Sequence, residues 1–193
     1  MTIIAFVSQK GGVGKSTLAR AVAVEATKQK MSTLLADCDP QQSTSAEWAK
    51  LQDKVNCQIF SSVSEIWPLS KNYDLIIIDG PARTSQATQE IAEKADLVIQ
   101  PVGASRDDLI PAVKVFNALK KSGIDPKKLL FALMRLSTEK EATAIKEYLK
   151  DTGYSYSKSY CLEKASYKQT QNEGKSITET SYITICELNV SNF

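Results

Sequence analysis

The chain contains no histidine, and its four cysteines, Cys38, Cys57, Cys161 and Cys186, form no CxxC pair. Both absences argue against a zinc site, whose ligands come mainly from spaced Cys and His. A disulfide framework is equally unexpected in 193 residues with no secretory signal, so the cysteines read as small apolar residues in a reducing cytoplasm. No apolar run approaches the roughly 20 residues that cross a bilayer. Met1-Thr2 leads straight into a short apolar run, without a basic leader or cleavage site. An excess of one charge is missing too. With 24 Lys+Arg against 22 Asp+Glu the net charge is +2, so nucleic-acid binding would need a local patch.

What is present is ordinary for a globular protein: 42% apolar and 24% charged residues, with a length that fits one domain over 1–193. Apolar runs alternate with stretches of helix length. Ile3-Ile4-Ala5-Phe6-Val7, Thr33-Leu34-Leu35-Ala36, 55–60, Leu75-Ile76-Ile77-Ile78, Leu97-Val98-Ile99 and 129–133 read as strands. The segments 16–30, 62–69, 85–94, 107–121 and 139–150 read as helices, with a further helix through Ala46-Glu47-Trp48-Ala49. Turn residues Gly80-Pro81 close the fourth strand, and Pro101 stops the fifth. Beyond residue 151 the pattern weakens to an edge strand over 154–162 and short helices over 163–172 and 179–188. Strands apolar throughout and separated by helices predict a doubly wound, mostly parallel α/β sheet covered on both faces. Ligands are then expected at the carboxyl ends of the strands.

Three constellations carry chemistry. Lys10-Gly11-Gly12-Val13-Gly14-Lys15-Ser16-Thr17 lies between the first strand and the first helix. Glycines there let backbone N–H groups converge on phosphates, above the positive end of a helix. Lys15 would reach the β- and γ-phosphates of ATP, Ser16 would bind Mg²⁺, and Thr17 would bond the α-phosphate. The strict P-loop pattern has a glycine where Gln9 stands. Second, Asp37-Cys38-Asp39-Pro40-Gln41-Gln42-Ser43 ends the second strand with two carboxylates, which either face the phosphates or cap the following helix. Third, Tyr73-Asp74-Leu75-Ile76-Ile77-Ile78-Asp79 is a buried strand ending in an acid, the Walker B arrangement, in which Asp79 holds Mg²⁺ through water. The loop 80–84 would sense the γ-phosphate; Arg83 within it is either a charge sensor or a solvated arginine.

The lysine-rich P-loop resembles that of the deviant Walker A ATPases of the ParA/MinD type, whose signature is the extra lysine, Lys10 here. The resemblance implies that Lys10 crosses a dimer interface to phosphates held by the partner subunit, so that ATP binding and homodimerisation are coupled. It also implies that Asp39 orients the attacking water while Asp37 supports the Mg²⁺ shell. The run 100–105 resembles the family's loop beside nucleotide and interface, and Met134-Arg135 falls where the family contacts adenine.

The resemblance runs over most of the chain and is best over 2–105. Because the chain opens at its first strand, without a helix-turn-helix extension, it looks like the small plasmid-partition ParA proteins. Such proteins bind DNA without sequence preference as ATP dimers, and a small centromere-binding, ParB-like partner stimulates hydrolysis. A cytoplasmic, nucleoid-associated ATPase without stable membrane anchoring follows. Lys158, Lys164, Lys168 and Lys175 either line a DNA-facing surface or form a solvated face, and residues 181–193 carry no Lys or Arg. A MinD-like membrane-positioning ATPase is the rival, but it needs a basic amphipathic C-terminal helix that 186–193 do not provide. A ligase on the same scaffold ranks third, and a nitrogenase-type iron protein would need subunit-bridging cysteines that this chain does not supply.

Overall fold

A computed structural model of the chain describes residues 1–82 and 85–180. β1 (Thr2–Ser8) leads through the glycine turn into α1 (Lys15–Lys28). β2 (Thr33–Asp37), α2 (Thr44–Ala49) and the short β3 (Cys57–Ile59) follow, then 3-10 turns at Val63–Glu65 and Trp67–Asn72. β4 (Leu75–Ala82), α3 (Ser85–Lys94), β5 (Leu97–Val102), α4 (Arg106–Lys121), β6 (Leu129–Leu136) and α5 (Glu139–Lys150) continue the alternation. β7 (Ser155–Leu162), α6 (Ala165–Asn172) and a 3-10 turn at Ile177–Glu179 complete it.

The seven strands form one sheet in the order β3-β2-β4-β1-β5-β6-β7, and every adjacent pair is parallel. This is the expected doubly wound α/β sheet. Alternation along each strand splits the apolar side chains between two faces. Ile3, Ala5, Val7, Leu34, Ala36, Ile76 and Ile78 pack toward Ile91 of α3, Phe116 of α4 and Ile145 of α5. Ile4, Phe6, Leu35, Leu75 and Ile77 face Leu18 and Val22 of α1, Trp48 of α2 and Tyr167 of α6. Central strands buried on both sides explain why their sequence is apolar without interruption.

Two prolines do not end strands as expected. β4 runs through Gly80-Pro81 to Ala82, where the ladder with β1 slips between Phe6 and Ser8. At such an irregularity proline's missing N–H is tolerated. Gly80 is needed there, because a Cβ would stand 2.8 Å from the Phe6 carbonyl oxygen. β5 likewise runs through Pro101 to Val102; β1 pairs with it only as far as Ile99, which leaves that flank without a ladder. The segment 62–69 is not a helix but parts of two 3-10 turns, the first capped reciprocally by Ser62 and Glu65, the second holding Pro68 in its opening turn. Of the helix expected over 179–188, Glu179 ends the last 3-10 turn, and the part beyond Thr180, like the sensor Arg83, lies outside the described residues.

Candidate nucleotide site

The carboxyl ends of β1, β2, β4 and β6 meet at the start of α1. Gly12 and Gly14 adopt φ of 77° and 104°, in the region that side chains avoid. Gly14 is doubly required, since a Cβ there would lie 3.1 Å from Met134 Cε on β6. No side chain caps α1, and its first turn holds no acid. The amides that begin this 14-residue helix are therefore left for an anion.

Lys15 folds back over this turn and donates to Asp79 Oδ1 at 2.6 Å. Asp79, buried at the end of the β4 apolar run, accepts a second bond from Ser45 Oγ at 2.7 Å. Asp37 is its ladder partner on β2 and is fully buried. One Asp37 oxygen accepts from the backbone N–H of Ser45 (2.9 Å) and Ala46 (3.0 Å), the other from that of Asp39 (3.1 Å). Burial raises the Asp37 carboxyl above its ordinary value and the charge of Asp79 adds to this, while the three amides pull it down. Asp37 thus caps α2, the helix-capping alternative, and the cap fixes the residue that holds Asp79.

Asp39 is half-exposed, and its Oδ1 accepts only from Gln42 N–H among the described side-chain bonds, at 3.3 Å. Thr44 Oγ1 lies 3.4 Å from Ser16 Oγ, drawing the start of α2 over the first turn of α1. A cleft of about 480 Å³ opens above these groups. Lys10, Gly11, Gly12, Gly14, Lys15, Ser16, Thr17 and Asp39 line it on one side, Met134 and Arg135 on the other. Val13 is buried and borders an adjoining hollow, whereas Asp37 and Asp79 sit beneath the floor.

Met134 and Arg135 flank the cleft in unequal ways. Met134 is buried against Gly14. Arg135, exposed, takes the left-handed φ of 56° and donates one guanidinium nitrogen to the Gly12 carbonyl and another to Glu163 Oε1 at 2.9 Å. It clasps the phosphate loop from outside. Lys10 pairs with Asp108 of α4 beside Gly103. Of the basic residues of the last third, Lys164 and Lys168 line the cleft, while Lys175 pairs with Glu173 at 3.0 Å.

Four contributors escaped sequence reasoning: Arg20, Ser45, Asp108 and Glu163. Only Asp108 left a local trace, as the third residue after the helix-capping Ser105. The others gain meaning only from partners far along the chain. Burial pushes the thiols of Cys38 and Cys57 up to about 12, which keeps both out of the chemistry near neutral pH.

Comparison with known proteins agrees with this fold. Among solved structures, apo McdA of Cyanothece superposes with a TM-score of 0.72 at 23% identity, covering 93% of this chain and 92% of that one. A ParA family ATPase from Chlorobium tepidum TLS gives 0.68 at 17% identity, with coverage of 91% and 90%. The septum site-determining protein MinD of Pyrococcus horikoshii OT3, complexed with Mg-ADP, gives 0.66 at 20%, with 91% and 86% covered. No curated protein sequence matches the chain. Residues 4–176 match the model of the CobQ/CobB/MinD/ParA nucleotide binding domain, and the chain belongs to that family.

Proposed function

We propose that this chain is a Mg-dependent ATPase, one domain over 1–193, that dimerises on binding ATP and moves DNA. The observation that carries the reading is Lys15 poised between the uncapped start of α1 and Asp79. The amides of Gly11–Thr17 would hold the phosphates, with Lys15 at the β- and γ-oxygens. The donor set suits Mg²⁺: a hydroxyl, Ser16, and a buried carboxylate, Asp79, both hard oxygens. Among the described residues no group of three or more His, Cys, Asp and Glu could hold a metal, so phosphates and water must complete the shell. Bound there, Mg²⁺ neutralises charge on the phosphates. Asp37 then serves from behind, through α2. Asp39, at the rim with an oxygen to spare, orients the attacking water. The P. horikoshii relative, which holds Mg-ADP, supports the nucleotide.

Lys10 is the residue that couples hydrolysis to assembly. Half-exposed at the cleft mouth, it is free to reach a second subunit's phosphates once it leaves Asp108. Asp39-Pro40-Gln41 followed by the helix that carries Trp48 resembles the small plasmid-partition ParA proteins more than MinD, which favours a DNA-segregating role, stimulated by a ParB-like partner, with nucleoid association in the ATP state. Light scattering tests the switch: Mg-ATP should convert monomer to dimer, and the dimer should be retained on random-sequence duplex DNA with a steep loss on adding salt. ATP-dependent sedimentation with anionic liposomes and no DNA retention would instead select the membrane-positioning reading. Among the described residues no helix is long and apolar enough to cross a membrane.

A further inference from the structure

The inner face of α1 is built from Leu18, Ala19, Val22, Ala23 and Ala26, yet Arg20 is buried among them at 9% exposure. An arginine in a core is costly unless its charge and its donors are answered. Each is. Arg20 Nε donates to Ser45 Oγ at 3.2 Å and Nη1 donates to Gln171 Oε1 of α6 at 3.2 Å. The guanidinium carbon lies 5.4 Å from the centroid of the Trp48 ring. Burial pushes the guanidinium below its ordinary value, opposed first by Asp79 and then by Asp37. The floor of the site therefore holds two carboxylates, Asp37 and Asp79, with Lys15 ion-paired to Asp79 and a second cation, Arg20, joined to Asp79 through Ser45.

The hydrogen-bond directions in this chain are fixed. Arginine only donates, so the Ser45 oxygen must accept from Nε. The one proton of Ser45 is then left for Asp79 Oδ2, 2.7 Å away. The Ser45 backbone is itself anchored by Asp37. When Lys15 turns to phosphate, Ser45 becomes, among the described residues, the remaining side-chain donor to Asp79, with Arg20 behind it.

We infer that Arg20 and Ser45 are positioning residues for the metal carboxylate: they keep Asp79 aimed while Lys15 is away. Through Gln171, which lines the cleft, they also tie that carboxylate to the α6 wall. The inference rests on the reading of Asp79 as the Mg²⁺ carboxylate.

The test uses the full chain and the fluorescent analogue mant-ATP, titrated with MgCl2 and, separately, in EDTA. Ser45→Ala and Arg20→Met should raise the Mg²⁺ midpoint of nucleotide binding by about tenfold or more, whereas affinity in EDTA should move by less than about threefold. Ser45→Thr, which keeps the hydroxyl, should restore the wild-type midpoint. If Arg20→Met fails to fold, the two Ser45 variants decide alone. Unchanged midpoints in folded Ser45→Ala would overturn the inference while leaving the ATPase reading intact. A wild-type chain whose mant-ATP binding ignores Mg²⁺ would overturn both.

Discussion

Two lysines five residues apart each meet an aspartate, and they do so in opposite surroundings. Lys15 and Asp79 are 14% and 2% exposed, joined at 2.6 Å and backed by Ser45 and Arg20. Lys10 and Asp108 are 49% and 18% exposed. Exposed pairs contribute about 0–1 kcal/mol, whereas removing one partner of a buried pair costs about 3–5 kcal/mol. The first lysine is built into its own subunit. The second is held loosely enough to leave it. The proposed switch would need both: a fixed grip on the nucleotide and a movable arm that reports it to a partner.

The largest expected effect comes from breaking the buried side. Asp79→Ala leaves Lys15 and Arg20 without their shared counter-charge, and urea unfolding should register a loss of about 3–5 kcal/mol together with loss of Mg-dependent hydrolysis. Asp39→Ala, at the rim, should spare folding and nucleotide affinity and lower single-turnover hydrolysis by roughly 10²–10⁴-fold. Crossing to the exposed side, Lys10→Ala should change stability by less than about 1 kcal/mol. It should still bind mant-ATP yet fail to dimerise in light scattering; normal ATP-dependent dimers would remove its cross-subunit role. Smallest of all, Asp108→Asn releases Lys10 and should lower the ATP concentration for half-maximal dimerisation by at most about fivefold, since an exposed pair holds it back by no more than about 1 kcal/mol.

The same contrast governs what could be read from residues alone. Glycines between a strand and a helix, an uninterrupted apolar run ending in Asp79, and the extra Lys10 are local signals, and they located the glycine turn and the sheet on which it sits. Pro81 and Pro101 misled because their tolerance depends on the neighbouring strand β1, whose ladder slips in register beside the one and stops short of the other. Asp37 looked like half of an acidic pair, but its role is decided by the amides of Ser45 and Ala46, which fold onto it. Arg20 sits in a helix whose other inner residues are small and apolar; its partners at Ser45 and Gln171 are 25 and 151 residues away. No periodicity announces such a group.

Calorimetric titration with ATP, ADP and AMP in magnesium buffer addresses the grip on the phosphates most directly. One site per chain should bind ATP and ADP, AMP should bind far more weakly because it lacks the β- and γ-phosphates, and Lys15→Ala should abolish the difference. Equal affinity for all three nucleotides, or binding unaffected by Lys15→Ala, would contradict the account.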